Sequence, residues 1–145
     1  MPNVSKKMYW GANSSAAVTG VTTTFSTTKK MTMVMNTPKL QNGNPQPHRG
    51  WMDSVRLIFS NAGTSTTCSF KLCSDVAGNY AVIQSTTLIL MPGVTTNTIK
   101  TATGTIDIPV QNTNADATLV DTYWLFVLVN AGTPTLESAE FGWSE

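Results

Sequence analysis

Charge is the first thing this chain lacks. Asp, Glu, Lys and Arg make up 12% of its 145 residues, about half the usual share. A coiled coil, which needs Glu and Lys along its helices, is excluded. The net charge of +1 gives no general attraction to nucleic acid. No run of eighteen apolar residues occurs, so no membrane-spanning helix is expected. No apolar run follows the basic start Met1–Lys7, so no secretory signal is expected either. Histidine occurs once, as His48, and cysteine twice, as Cys68 and Cys73. His-x-His, Glu-x-x-His, Asp-x-Asp, and the glycine-rich phosphate and dinucleotide motifs are all absent. The motif-borne forms of zinc, calcium and nucleotide chemistry are therefore missing. No cofactor, no metal and no catalysis are expected.

What fills the gap is Thr, Ser and Asn, with 24, 12 and 11 residues. Threonine favours strands because its branched Cβ fits a pleated surface. Twelve aromatic residues can build a core, which argues against disorder. Alternation is repeated along the chain: Val21, Thr23, Phe25; Met31, Met33, Met35; Val55, Leu57, Phe59; Thr66, Cys68, Phe70, Leu72; Ile106, Ile108, Val110. Each set places one face of a strand toward a core. Strands are expected near 6–10, 19–26, 30–36, 51–60, 65–73, 79–90, 94–101, 104–110, 118–130 and 134–143, with no helix. The expected fold class is all-β, a two-sheet antiparallel sandwich. A jelly roll comes first and an immunoglobulin-like sandwich second.

The length is that of one domain. Residues 1–18 are weakly patterned and read as an N-terminal arm, with the sandwich over 19–145. Residues 37–50 hold three of the seven prolines and read as a long loop. Asn61-Ala62-Gly63-Thr64 and Asn130-Ala131-Gly132-Thr133 repeat one pattern, read as two hairpin turns.

Candidate sites are few. His48, beside Arg49, reads as an exposed loop residue. The eight carboxylates, Asp53 and Asp107 among them, sit at ordinary turn and strand-end positions. Trp10, Trp51, Trp124 and Trp143 are read as core or interface anchors, with stacking on sugar rings as the alternative. The methionine face 31/33/35 suits either a core or an adaptable contact. Cys68 and Cys73 lie five apart, on opposite faces of one strand, and read as reduced thiols. Tyr123–Val129 is apolar at odd and even positions alike, so both faces need cover, from a loop or from another subunit. Charge is also segregated. Residues 1–50 hold six bases and no acid, and residues 116–145 five acids and no base. A basic arm lying on an acidic neighbour is one consequence. The interface candidates are therefore Lys6, Lys7, Arg49, Trp124, Phe126 and Leu128.

This profile, a charge-poor, Thr/Ser/Asn-rich β domain with a loose arm and one strand apolar on both faces, resembles the capsid decoration (cement) proteins of tailed bacteriophages. Other virion β domains, such as fibre or tail heads, share the style. The resemblance implies a jelly-roll homotrimer on the outside of a virion, with the major capsid protein as partner and without nucleic acid or membrane contact. The competing class is a carbohydrate-binding or adhesin-like module with a glycan ligand. A small β-fold hydrolase is third.

Overall fold

The computed structural model describes residues 8–35, 49–90, 99–111 and 122–144. They are all-β: eight strands and no helix among the described residues. The strands are β1 (Met8–Asn13), β2 (Lys30–Met35), β3 (Arg49–Ser60), β4 (Thr67–Cys73), β5 (Ala81–Ile89), β6 (Lys100–Gln111), β7 (Thr122–Val129) and β8 (Thr135–Ser144). Every pairing is antiparallel, and the order across the sheet is β5-β4-β7-β2-β1-β8-β3-β6.

This order has a simple rule. β1 pairs with β8, β2 with β7, β3 with β6 and β4 with β5. A long hairpin rolled up on itself gives this nesting, which is the strand order of a jelly roll. The expectation of two separate sheets is not met. β1 and β2 are joined through Gly11↔Met35, Ala12↔Val34 and Asn13↔Met33, so one eight-stranded sheet curls around its core. At its far edges a single bridge, Leu90↔Ala102, brings the end of β5 to β6.

The alternating residues supply the interior. Met31 and Met33 of β2, Val55, Leu57 and Phe59 of β3, and Cys68, Phe70 and Leu72 of β4 are buried in one cluster. β7 adds Tyr123, Leu125, Val127 and Val129. The methionine face is therefore core at Met31 and Met33. Phe70 of β4 meets Phe141 of β8 edge to face, with ring centroids 5.6 Å apart. The two halves of the curled sheet thus pack on each other through the interior.

β8 switches parity on the way. Leu136 is buried, and so are Ala139 and Phe141. The register against β3 shifts between Ile58↔Ser138 and Phe59↔Leu136, leaving Glu137 as the extra residue of a bulge. Its carboxylate accepts a 2.5 Å hydrogen bond from Ser60 Oγ.

Several expected elements are corrected. Residues 8–13 lie between β2 and β8 as strand β1, so the arm expected over 1–18 does not include them; residues 1–7 lie outside the described residues. The strand expected at 19–26 is absent: this segment is loop, with Val21 buried, Thr23 exposed and Phe25 half-buried. Its alternation comes from anchoring a loop on the core, not from a ladder. The strands expected at 94–101 and 104–110 meet in one strand, β6, which begins at Lys100. Most of the Pro-rich segment lies outside the described residues, but Arg49 and Gly50 already belong to β3.

Candidate functional site

Among the interface candidates, Lys6 and Lys7 lie outside the described residues, as does His48. Arg49 opens β3 opposite Gln111 of β6. Trp124, Phe126 and Leu128 share the outer face of β7, and their fates differ. Trp124 and Leu128 are half-buried, whereas Phe126 is only 1% exposed. The cover over Phe126 comes from the same chain. The turn after β4 carries Gly78 across the ring so closely that a Cβ there would stand 2.9 Å from Phe126 Cζ. Gly78 has φ +81°, a conformation that glycine adopts without strain. The Lys71 ammonium sits 5.2 Å from the Phe126 ring centre and 5.0 Å from that of Phe25. It also donates a 2.9 Å hydrogen bond to the Gly78 carbonyl. One lysine therefore fastens the 19–29 loop and the 74–80 turn to the outside of the sheet.

Asp75 holds that turn in shape. Its carboxylate accepts hydrogen bonds from the N–H groups of Asn79 (2.9 Å) and Tyr80 (2.7 Å). Desolvation pushes its pKa up, but the backbone donors of Asn79, Tyr80, Asp75 and Ala77 together outweigh it and hold the carboxyl below its usual range.

The two Asn-Ala-Gly-Thr segments meet at one end of the molecule. They are not hairpin turns. The first joins β3 to β4 and the second joins β7 to β8, and neither pair of strands is adjacent in the sheet. Each arches from one half of the curled sheet to the other, and they dock side by side. Asn130 Oδ1 accepts from the N–H groups of Thr66 (2.8 Å) and Thr67 (3.0 Å), and Asn130 Nδ2 donates to Thr66 Oγ1 (2.8 Å). Ser65 Oγ donates to the Ala131 carbonyl. Lys100, only 5% exposed, donates to the carbonyls of Gly63 (2.9 Å) and Ser65 (2.6 Å). This end is a hydrogen-bonded lock with a buried ammonium, built to hold loops still.

The thiols offer no nucleophile. Both are free and buried. Burial pushes Cys68 up to about 12. Burial also raises Cys73, with a small opposing effect of Lys71 and a small further rise from Asp75, to about 11. Cys68 belongs to the main core and Cys73 is buried outside it. Tyr123, 2% exposed, has its hydroxyl buried with no hydrogen-bond partner among the described residues, and desolvation raises its pKa. Among the described residues no three His, Cys, Asp or Glu side chains gather as a metal site, and no helix is long and apolar enough to cross a membrane.

Strand register brings Trp10, Trp51 and Trp143 to the same end of the neighbouring strands β1, β3 and β8: Tyr9 pairs with Trp143, Trp143 with Met52, and Trp51 with Ser144. At the opening between β1 and β2 lies a groove of about 390 Å³, lined by residues 15–19 and by Thr28, Lys29, Lys30 and Thr32. Sequence reasoning missed it. It split these residues between an arm, two strands and the gap between those strands. The only signal was the pair Lys29-Lys30 in a stretch without acids. Neither a protein-family model nor a curated protein matches the chain.

Proposed function

We propose that this chain is a non-enzymatic structural protein of a virion, a capsid decoration (cement) protein of the tailed-bacteriophage type. In this reading it binds the outer surface of the major capsid protein and associates with copies of itself, as a trimer. The observation that carries the reading is the jelly-roll strand order. This architecture is shared by viral capsid and lectin domains and by cupins. The cupin alternative needs polar ligating groups inside the roll, and here the described interior is packed with Met31, Met33, Leu57, Phe59, Phe70, Leu72, Leu125 and Phe141. Docked arches and a fastened outer turn also suit a protein whose task is to be rigid. Because one fold hosts several functions, the support is architectural, and the test has to be direct.

The experiment is native mass spectrometry of the purified protein, followed by cosedimentation with empty phage capsids. A trimer that cosediments saturably and raises the capsid's thermal stability is the expected result. A monomer that ignores capsids would overturn it. One observation favours a second reading, a glycan-binding module: register puts Trp10 of β1 and Trp51 of β3 on one face of the sheet, on either side of β8, with Trp143 on the other. Aromatic residues can stack on sugar rings, so binding on a glycan array, lost on changing Trp10 or Trp51 to Ala, would move the assignment there.

A further inference from the structure

The groove between β1 and β2 has a structural origin. The β1–β2 ladder covers only Gly11–Asn13 against Met33–Met35. It ends where the Ser14 N–H donates to the Thr32 carbonyl, at 2.8 Å. Beyond Ser15 the chain parts from β2 and keeps to β8, with which β1 already pairs. Val18 exchanges hydrogen bonds of 2.9 and 2.8 Å with Leu136, and the Val21 N–H donates to the Pro134 carbonyl. β2 stays with β7. The curled sheet therefore splits, and the split is the groove.

Three features of the split bear on a ligand. First, Thr32 turns both its N–H and its carbonyl toward this side, where Ser15 Oγ accepts from the one at 2.9 Å and the Ser14 N–H donates to the other, so the edge of β2 opens only at Lys30. The two-residue alternation of an antiparallel strand puts the N–H and carbonyl of Lys30 on the same edge. Among the described residues no backbone hydrogen bond from 15–19 meets them, and the N–H groups of Ala16 and Ala17 make none to another backbone group. Second, Lys29 and Lys30 each spend one donor on a carbonyl, of Thr19 at 2.8 Å and of Thr27 at 2.6 Å. An ammonium has three donors, so both keep donors for a ligand. Third, the walls add the hydroxyls of Ser15, Thr19, Thr28 and Thr32 and contain no carboxylate and no aromatic ring.

We propose that this groove binds the carboxylates of an acidic protein segment, whose backbone meets the edge of β2 where it opens, at Lys30. The cations and free N–H groups select an oxyanion, since charge-assisted hydrogen bonds are the strong ones. The N–H and carbonyl of Lys30 suit a peptide backbone, which can pair with an exposed strand edge. With no ring in the walls, a sugar has no stacking surface. Two lysines are too few for nucleic acid, whose affinity comes from neutralising many phosphates. The volume lies in the range of about 300–1,000 Å³ typical of small-ligand sites, enough for a short segment and not for a folded domain. The assignment rests on the groove itself and holds whether or not the protein decorates a particle.

The test is an amide NMR titration of the intact ¹⁵N-labelled protein with acetyl-Glu-Glu-Glu-amide. Parallel titrations use glucuronate and inorganic phosphate. The expected result is saturable shifts confined to residues 15–19 and 28–32, weakened about fivefold by each of Lys29→Gln and Lys30→Gln and further by 0.5 M salt. Resonances outside the groove should be unchanged in both variants, showing an intact fold. Absence of saturable shifts in the groove would overturn the proposal, as would shifts that survive the combined variant. Saturation by glucuronate or phosphate at a lower concentration than the peptide would overturn the choice of a protein carboxylate.

Discussion

Phe126 is the residue where loop cover and subunit cover make opposite predictions. Its ring is enclosed by Gly78, Lys71 and the sheet beneath. Truncating it to Ala should therefore empty a site inside one protomer. A buried Phe→Ala change costs about 3–5 kcal/mol. Within that, losing the Lys71 contact with the ring counts for about 0.5–1 kcal/mol. For a chain of this size 1 kcal/mol moves the melting temperature by roughly 3 °C, so the variant should melt roughly 9–15 °C lower. Gly78→Ala is the matching perturbation from above. It puts a Cβ 2.9 Å from the ring at φ +81°, and the left-handed conformation alone costs about 1–2 kcal/mol for a non-glycine residue. Urea unfolding followed by circular dichroism measures both, and light scattering on the same samples reads the assembly state. Both variants should lose stability at unchanged assembly size, and their combination should cost less than the sum, because an Ala at 126 leaves room for the new methyl. If Phe126→Ala costs under about 1 kcal/mol and splits an oligomer instead, the ring is a contact between subunits and the account of the Gly78 turn is wrong.

Three further outcomes follow from the polar groups. Tyr123→Phe removes a buried hydroxyl without a described partner; unfolding in urea should show it neutral or stabilised by up to about 1 kcal/mol, and a clear loss would reveal a hidden partner. Asn130→Ala strips the acceptor from the N–H groups of Thr66 and Thr67 and should cost about 1–3 kcal/mol, with faster amide exchange at both arches; normal exchange there would refute the lock. The Asp75 carboxyl has a folded pKa below its ordinary 3.8. Its contribution is therefore complete above that value and is lost as pH falls through the lower, folded one. Amide exchange of Asn79 and Tyr80, corrected for intrinsic rates, should accelerate only in that acid window, and Asp75→Asn should abolish the pH dependence.

Alternation along the chain was sufficient to identify all-β structure and most of the core. Met31 and Met33, Leu57 and Phe59, Phe70 and Leu72 are buried at the positions that period-two patterning requires. The reason is local: a strand shows alternate side chains to one face whatever its partners are. The doubly apolar run 123–129 demanded cover on both faces, and on the outer face Phe126 has it, while Trp124 and Leu128 are half-buried. Which object supplies the cover at Phe126 depended on Gly78 and Lys71, over forty residues away, and no local pattern encodes that distance. The repeated Asn-Ala-Gly-Thr segments show the same limit. Asn61 at φ 53° and Gly132 at φ 74° bear out the turn chemistry, but a reversal does not state which strand lies next to the returning chain. Pairing is decided by burying both halves of the sheet on one core, and that made these turns arches instead of hairpins. The groove was least visible of all. It exists because the chain after β1 parts from β2 beyond Ser15 while it stays with β8 and β2 stays with β7, a property of the packed sheet that the residues around Lys29 and Lys30 do not carry by themselves.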